Sequence, residues 1–492
     1  LPNLETKFIC ANTLIGLQKE KQQRLELPII KTTIKQLQLT REQHLMANNL
    51  QEKKRLQEFD ESLRKLLSNA MEDAGDLSHE TAELILQWNP YDQTKSTPFF
   101  DPQYMFGIKE FHIVIGNPPY NVIDTKERLK ETYEKIYSHL KSGRINIYQL
   151  FFGRSTTLLS PKGILSFIHP KTLLTDAYLA ATRKYLLEKF ASFSIVNIVS
   201  RKATFESVLQ SVVVSQWNKG TEDDCQVLEV KVKDDFAKKQ FLSMTKKHIV
   251  TESGMLLIAG RKEIYAIERK CRKVKRLDIK FATGSTEWNK IKNHLSGKKN
   301  SGSKRLIYGE NIQRFRFEQS KKRAEKTYIN GDANVPTLQQ LAIVTQRTTS
   351  VEQPYRIIAT IINPNDFEFP IVTENHTNVF VCKKEKTDIP VVTENGTNVC
   401  VCDDENVAYY ILGIISSRLM DFYFRLFNSN THVSSGELNA LPIIDVSKES
   451  QKQLIKLVKR RLKGEDVDDK IDALVYEFYG LTDKEIKIVK GE

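Results

Sequence analysis

At 492 residues, 40% hydrophobic and 27% charged, the chain is long enough for two or three domains and has the composition of a soluble protein. No apolar run approaches the roughly 20 residues that span a bilayer, and no signal peptide opens the chain. Six irregularly spaced cysteines (Cys10, Cys225, Cys271, Cys382, Cys400, Cys402) frame neither disulfides nor a zinc site, so we expect reduced thiols, a cytoplasmic location, no membrane partner and no metal.

Residues Phe8 to Leu14 read as the end of a strand, and a domain that opens on an inner strand predicts a missing beginning. No Gly-x-Gly occurs anywhere, although an adenosine-bearing cofactor is usually cradled by such a turn. From about 17 to 86 the chain turns rich in Lys, Gln, Glu and Leu. Ile30, Ile34 and Leu37, then Leu56, Phe59, Leu63 and Leu66, recur at helical spacing, with Arg41, Asn48 and Glu52 in the same stripe. This predicts a helical insertion, folded as a hairpin, packed at its ends and solvated in the middle. An aromatic loop, Trp88 to Gly107, leads out of it.

Phe111 to Ile115 is a short apolar run without alternation, which predicts a strand buried on both faces of a parallel sheet. The turn Gly116-Asn117-Pro118-Pro119-Tyr120 then follows. Two prolines fix φ and remove two donors, and Asn117, before a proline, is pushed toward an extended conformation. What remains are acceptors, the Asn117 amide oxygen and the Pro118 carbonyl. Two acceptors on a stiff backbone can take both hydrogens of a primary amine and leave its lone pair free to attack. Tyr120 offers a face for a flat ring. Ligands of open α/β sheets bind beyond the carboxyl ends of strands, where this turn would sit.

Ile145 to Leu159 predicts a helix, Gly163 to Pro170 a strand holding His169, Leu173 to Phe190 a helix, and Phe193 to Val199 a strand. Val208 to Trp217 is a further strand entered from a loop carrying Phe205. The alternation describes a βαβ sheet. From about Gly254 short strands and basic loops mark a new domain. The net charge of +13 is concentrated here, since Arg261 to Lys326 holds 21 Lys and Arg against 7 Asp and Glu. Interleaved with Tyr308, Phe315 and Phe317, this block is the footprint of a phosphate-backbone contact. Lys298, Lys299, Lys304, Arg305 and Arg314 are its candidates, while Arg347 and Arg356, with Gln346, are capable of bidentate base contacts. Ala342 to Arg347 and Arg356 to Thr360 predict paired strands. Phe369 to Cys382 recurs twenty residues on as Ile389 to Cys402, a tandem duplication adding a strand and a turn. One apolar helix is expected over Ala408 to Phe427, and terminal helices over Leu454 to Leu462 and Val467 to Tyr479.

Asn117-Pro118-Pro119-Tyr120 after a hydrophobic strand resembles the signature of amino-group methyltransferases that use S-adenosylmethionine. In the order of its features the chain is similar to gamma-class adenine-specific DNA methyltransferases of the fused type IIG restriction-modification kind, lacking their N-terminal part. Ala11 to Leu14, Trp88 to Asp92, Pro98 to Asp101, Asn146 to Phe151, Gly163 to Pro170 and Lys202 to Phe205 carry the likeness in the first half. Leu306 to Phe315, Asn428 to Ile443 and Asp472 to Leu481 carry it in the second.

The resemblance implies a Rossmann-like α/β methyltransferase sheet over 1–253, N-terminally incomplete, with its insertion at about 17–86. A mixed α/β target-recognition domain over 254–445 and a helical tail over 446–492 follow. It implies methyl transfer from S-adenosylmethionine to the 6-amino group of a flipped adenine, with Asn117, Pro118, Pro119 and Tyr120 catalytic, Tyr120 and Phe205 stacking on the base, and Asn12 contacting the cofactor. Its partners would be double-stranded DNA and an upstream segment or subunit that completes the cofactor site. Two other classes stay open: a methyltransferase for protein glutamine or RNA, and a DNA-recognition fragment without catalysis of its own.

Overall fold

The computed structural model describes residues 4–17, 27–124, 129–198, 211–220, 224–230, 239–350, 352–381, 404–428 and 431–492. Phe205, the second copy of the repeat, and Cys382, Cys400 and Cys402 lie outside the described residues. Two compact units divide at Met255 and Leu256.

In the first unit α1 (Pro28–Met46) and α2 (Leu50–Asp73) form the hairpin, followed by α3 (His79–Gln87). Pro28 sits at the start of α1, where its missing N–H is harmless. Asn49 caps α2, its side chain accepting from Glu52 N at 2.8 Å. The middle of the hairpin is not solvated as its polar stripe suggested. Asp60 is fully buried, and its two oxygens accept from Arg41 Nε at 2.7 Å and Arg64 Nε at 2.8 Å. Arg41 also donates to the carbonyls of Tyr104 and Met105, at 3.0 and 2.8 Å. Those carbonyls belong to α4 (Pro102–Phe106), so the ion network fastens the hairpin to the segment that leads into the next strand. Leu56, Leu63 and Leu67 share the buried face with Asp60, whereas Phe59 and Leu66, expected inside, point outward.

Gly107 ends α4 with φ 73°, a left-handed value that favours glycine, and β1 (Phe111–Gly116) begins. The unit continues with α5 (Lys130–Ile136), α6 (Ile147–Leu158), β2 (Leu159–Pro170), α7 (Ala180–Lys189), β3 (Ser192–Ile198), β4 (Val212–Asn218), β5 (Asp224–Val230), β6 (Leu242–Thr245) and the short α8 (Lys246–Ile249). The strands form one sheet in the order β1-β2-β4-β3-β5-β6. Only β1/β2 and β3/β5 are parallel. β4 enters antiparallel between β2 and β3, and β6 runs antiparallel to β5, so the sheet is mixed rather than the parallel one expected.

Register separates two faces. Leu165, Phe167 and His169 of β2 lie beside Trp217, Ser215 and Val213 of β4, all buried, and Phe152 of α6 meets Phe167 and His169 at 5.1 and 5.3 Å between ring centroids. On the opposite face Ile113 pairs with Ile164 and Ile115 with Ser166. Ile113 is 62% and Ile115 79% exposed, and β1 is an edge strand that pairs only with β2 among the described residues. The expectation of a strand buried on both faces is therefore corrected. Phe8 to Leu14 likewise joins no sheet. Among the described residues its one β-bridge is parallel, Ala11 to Thr97.

The second unit opens with α9 (Lys262–Arg272), followed by β7 (Ala282–Thr283), β8 (Leu295–Ser296), β9 (Lys304–Ile307), β10 (Ile312–Gln313), β11 (Arg316–Phe317), β12 (Tyr328–Ile329), β13 (Ala342–Gln346), β14 (Ala359–Ile362), β15 (Ile371–Thr373) and β16 (Thr377–Val381). The order β14-β13-β16-β7 makes one four-stranded antiparallel sheet, and β15-β9-β12-β8 makes a four-stranded mixed one in which β15 runs parallel to β9. The single helix expected after residue 408 is two, α10 (Glu405–Ile415) and α11 (Arg418–Phe427). The break falls where Ser417 caps α11, accepting from Met420 N at 3.2 Å and donating to Ile414 O at 2.7 Å. After α12 (Ser435–Asn439) come α13 (Lys448–Leu462), α14 (Asp468–Phe478) and α15 (Asp483–Lys490). Leu454, Val458, Ile471 and Val475 share one core with Ile343 and Phe380, so these terminal helices belong to the second unit and not to a separate tail. No described helix is long and apolar enough to cross a membrane.

Candidate active site

The Asn117 turn is held from both sides. Upstream, Gly116 pairs with Phe167 at the carboxyl end of the sheet's one β1/β2 seam. Downstream, Ile147 N donates to Asn121 O at 2.8 Å and Ile123 N to Ile145 O at 3.1 Å, tying the exit of the turn to the start of α6. Gln149 steadies that start, its Oε1 accepting from Asn146 N at 2.7 Å. Between these anchors two prolines leave the backbone little freedom.

Asn117 is exposed and Tyr120 half-buried. The Tyr120 hydroxyl donates to Asn117 Oδ1 at 3.1 Å. Burial raises the phenol above its ordinary pKa, so it stays protonated at neutral pH. The amide oxygen keeps its second lone pair. The Tyr120 ring meets Tyr148, in the first turn of α6, edge to face at 6.3 Å, and Tyr148 lies parallel to His169 at 6.3 Å. An amide acceptor and an aromatic ring are thus set side by side on a braced turn. Such a pair can orient a planar ring carrying an amino group.

His169 is not a free polar group at the strand end. It is fully buried, with Nδ1 2.9 Å from Pro170 O and Nε2 2.8 Å from Ser215 Oγ. Trp217 Nε1 donates to the same Ser215 oxygen at 2.9 Å. These contacts assign the proton to Nδ1, which donates to Pro170, while Nε2 accepts from Ser215. Burial holds the imidazole pKa down at about 4, so His169 is neutral and structural.

Asn12 belongs to another cluster. Its Oδ1 accepts from Leu14 N at 3.2 Å and its Nδ2 donates to Tyr133 OH at 3.0 Å. Around it Tyr137 OH donates to Leu14 O at 2.6 Å, and Arg154 of α6 donates to Thr13 O at 2.9 Å and Phe100 O at 2.7 Å. Sequence reasoning gave Tyr148 no role beyond its place in the Asn146 to Phe151 segment, and passed over Tyr133 and Arg154. Tyr148 carried a usable signal, being an aromatic in the first turn of the helix that follows the turn. The arginine clamp, 141 residues from Thr13, carried none.

Of the candidate DNA-binding residues, two are corrected. Arg356 is fully buried, with Nε donating to Thr349 Oγ1 at 3.1 Å and its guanidinium over the Phe424 ring. Arg314 pairs with Asp468 at 2.5 Å, donates twice to Ser416 O, and stacks between Phe315 and Tyr355. Both hold the second unit together, because the fork that could read a base clamps protein acceptors equally well. Gln346 is engaged with Ile312 O at 2.6 Å. Lys304 donates to Ala333 O, and Arg347 to Asn375 O. Arg305 bonds Gln319 and lies 5.2 Å from the Phe317 and Phe367 ring centroids. Lys298 and Lys299 are exposed on their loop, Lys299 in a surface pair with Glu368 at 2.7 Å.

Residues 6–205 match the family model described as Eco57I restriction-modification methylase. The chain is 24% identical over 440 residues to the type II methyltransferase M.BsuBI of Bacillus subtilis, covering 85% of this chain and 82% of that one. It is 24% identical to the type II methyltransferase M.PstI of Providencia stuartii over 387 residues, 74% of this chain and 70% of that one. Among solved structures, the type IIL restriction-modification enzyme MmeI in complex with DNA is similar over 87% of this chain and 60% of that one, less than two thirds of its length, at 12% identity and a TM-score of 0.48.

Proposed function

We propose that this chain is the target-binding and catalytic part of a DNA methyltransferase of a restriction-modification system, transferring a methyl group from S-adenosylmethionine to the 6-amino group of a flipped adenine. The observation that carries this reading is the braced turn, with the Asn117 oxygen and the Tyr120 ring presented together at the end of β1. The match of residues 6–205 and the two type II relatives support the reaction class and the DNA substrate.

In this reading the duplex gives up one adenine, whose unstacking costs a few kcal/mol, and Tyr120 offsets part of that by stacking. Phe205 would take the other face. The Asn117 oxygen and the Pro118 carbonyl accept the two amino hydrogens, which aims the nitrogen lone pair at the methyl group to be received. The reaction is driven by positioning and needs no nucleophile from the protein.

The described residues do not by themselves form a cradle for the methyl donor. The sequence has no Gly-x-Gly turn, and Asn12 spends its oxygen on Leu14 and one amide hydrogen on Tyr133. The edge of β1 that is unpaired among the described residues, with Ile113 and Ile115 exposed beside the turn, is where a further segment would pair and complete the site. The test is nucleoside mass spectrometry of DNA from a host free of 6-methyladenine that expresses the native reading frame. The expected product is 6-methyladenine. Unmodified DNA, or 4-methylcytosine alone, would overturn the assignment.

A further inference from the structure

Helix α13 carries a second concentration of positive charge that the near-neutral total outside Arg261–Lys326 conceals. Lys448, Lys452, Lys456, Lys459 and Lys463 are all exposed. Positions 448, 452, 456 and 460 repeat every four residues and so share one face. That spacing ordinarily sets a cation against an anion. Here cation follows cation, an arrangement that opposes helix formation.

Compensating carboxylates are few. Glu449 lies 3.4 Å from Lys452 and Glu465 2.7 Å from Arg460, both in solvent. Lys448, Lys456 and Lys463 make no ion pair among the described residues. The surface is also concave. α13 and the start of α10 enclose a groove of about 480 Å³, lined by six cations and by two carboxylates, Asp404 and Glu465. Lys459 crosses the groove, its Nζ donating to Asn406 Oδ1 at 3.1 Å and lying 4.6 Å from the Tyr409 ring centroid. The scaffold beneath is firm, because Leu454 and Val458 pack directly over Gly413 of α10, where even a Cβ would come within 2.8 Å of Val458.

We propose that this face of α13 is a contact surface for the phosphate backbone of double-stranded DNA, additional to the basic block. The proposal rests on the DNA reading above and extends it to a part of the chain where that reading placed no contact. Four residues of helix rise about 6 Å, and two phosphates along one strand advance about 7 Å, so one lysine falls near every second phosphate. A lipid surface fits less well, since an interfacial helix needs apolar side chains beside its lysines and α13 exposes no large hydrophobic residue.

The experiment is fluorescence anisotropy with a duplex of about 30 base pairs and arbitrary sequence, titrated across a range of salt concentrations. The triple variant Lys448→Gln, Lys452→Gln, Lys456→Gln is compared with the parent and with Lys470→Gln, Lys487→Gln, Lys490→Gln, which removes the same charge from exposed positions on α14 and α15. Each lost phosphate contact lowers the slope of log K against log salt by about 0.9, so the α13 variant is expected to lose about 2 to 3 in slope and at least roughly tenfold in affinity at 0.1 M salt. The control variant should lose less than about threefold. Equal losses in the two variants, or an α13 variant that binds like the parent, would overturn the α13 surface and leave DNA binding by the parent standing. A parent that binds no duplex at low salt would overturn both.

Discussion

Three buried charges and one buried imidazole decide how the first unit is braced. Asp60 lies between Arg41 and Arg64 with no exposed surface. Replacing it with Asn leaves two arginines without a counter-ion, and breaking such a buried arrangement costs about 3 to 5 kcal/mol. Urea denaturation of Asp60→Asn should show that loss, and a change below about 1 kcal/mol would show that solvent reaches the network. His169 gives a pH signature. Its folded pKa of about 4 lies below the unfolded value of 6.5, so the unfolded state binds the extra proton between these limits. Stability is therefore full above pH 6.5 and falls as the pH drops toward 4, by up to about 3 kcal/mol. In urea titrations between pH 7 and 5 the parent should lose more than His169→Gln, and parallel curves would refute the assignment. His169 was visible in the sequence only as a polar residue at a strand end. Its satisfaction by Ser215, 46 residues away, was not, and neither was the meeting of Arg41 with Asp60 across two helices.

At the scale of elements, apolar runs and their spacing located the parts of the first unit that frame the turn. β1, α6, β2, β3 and β4 all stand within a few residues of where patterning put them. What patterning could not give was neighbourhood. A run such as Phe111 to Ile115 looks the same whether its strand is central or at an edge, and only the pairing shows that Ile113 and Ile115 are bare. The split of one apolar helix into α10 and α11 was within reach, since Ser416-Ser417 interrupts the run with capping chemistry. Ser417→Ala should cost about 1 kcal/mol by removing the cap, read as a lower urea midpoint, whereas Ser417→Thr, which keeps a hydroxyl able to accept from Met420 N and donate to Ile414 O, should lose less. Equal losses in the two variants would mean that Ser417 acts through its packing rather than as a cap.

At the scale of the whole molecule, a turn that can hold an amino group and a unit rich in basic side chains occur in one chain, and their chemistry points to one substrate, DNA. The turn was legible because proline and asparagine fix geometry locally. The side chains proposed to meet the duplex were not, because Arg314 and Arg356 serve the second unit itself while the lysines of α13 lay outside the stretch that net charge picked out. The most direct measurement is methyl transfer to duplex DNA by the complete enzyme carrying Tyr120→Ala, read in single turnover beside duplex affinity. Transfer should fall at least about a hundredfold, with affinity within about threefold of the parent and Tyr120→Phe keeping most activity, because the ring rather than the hydroxyl holds the base. Transfer by Tyr120→Ala at the parental rate would contradict the account.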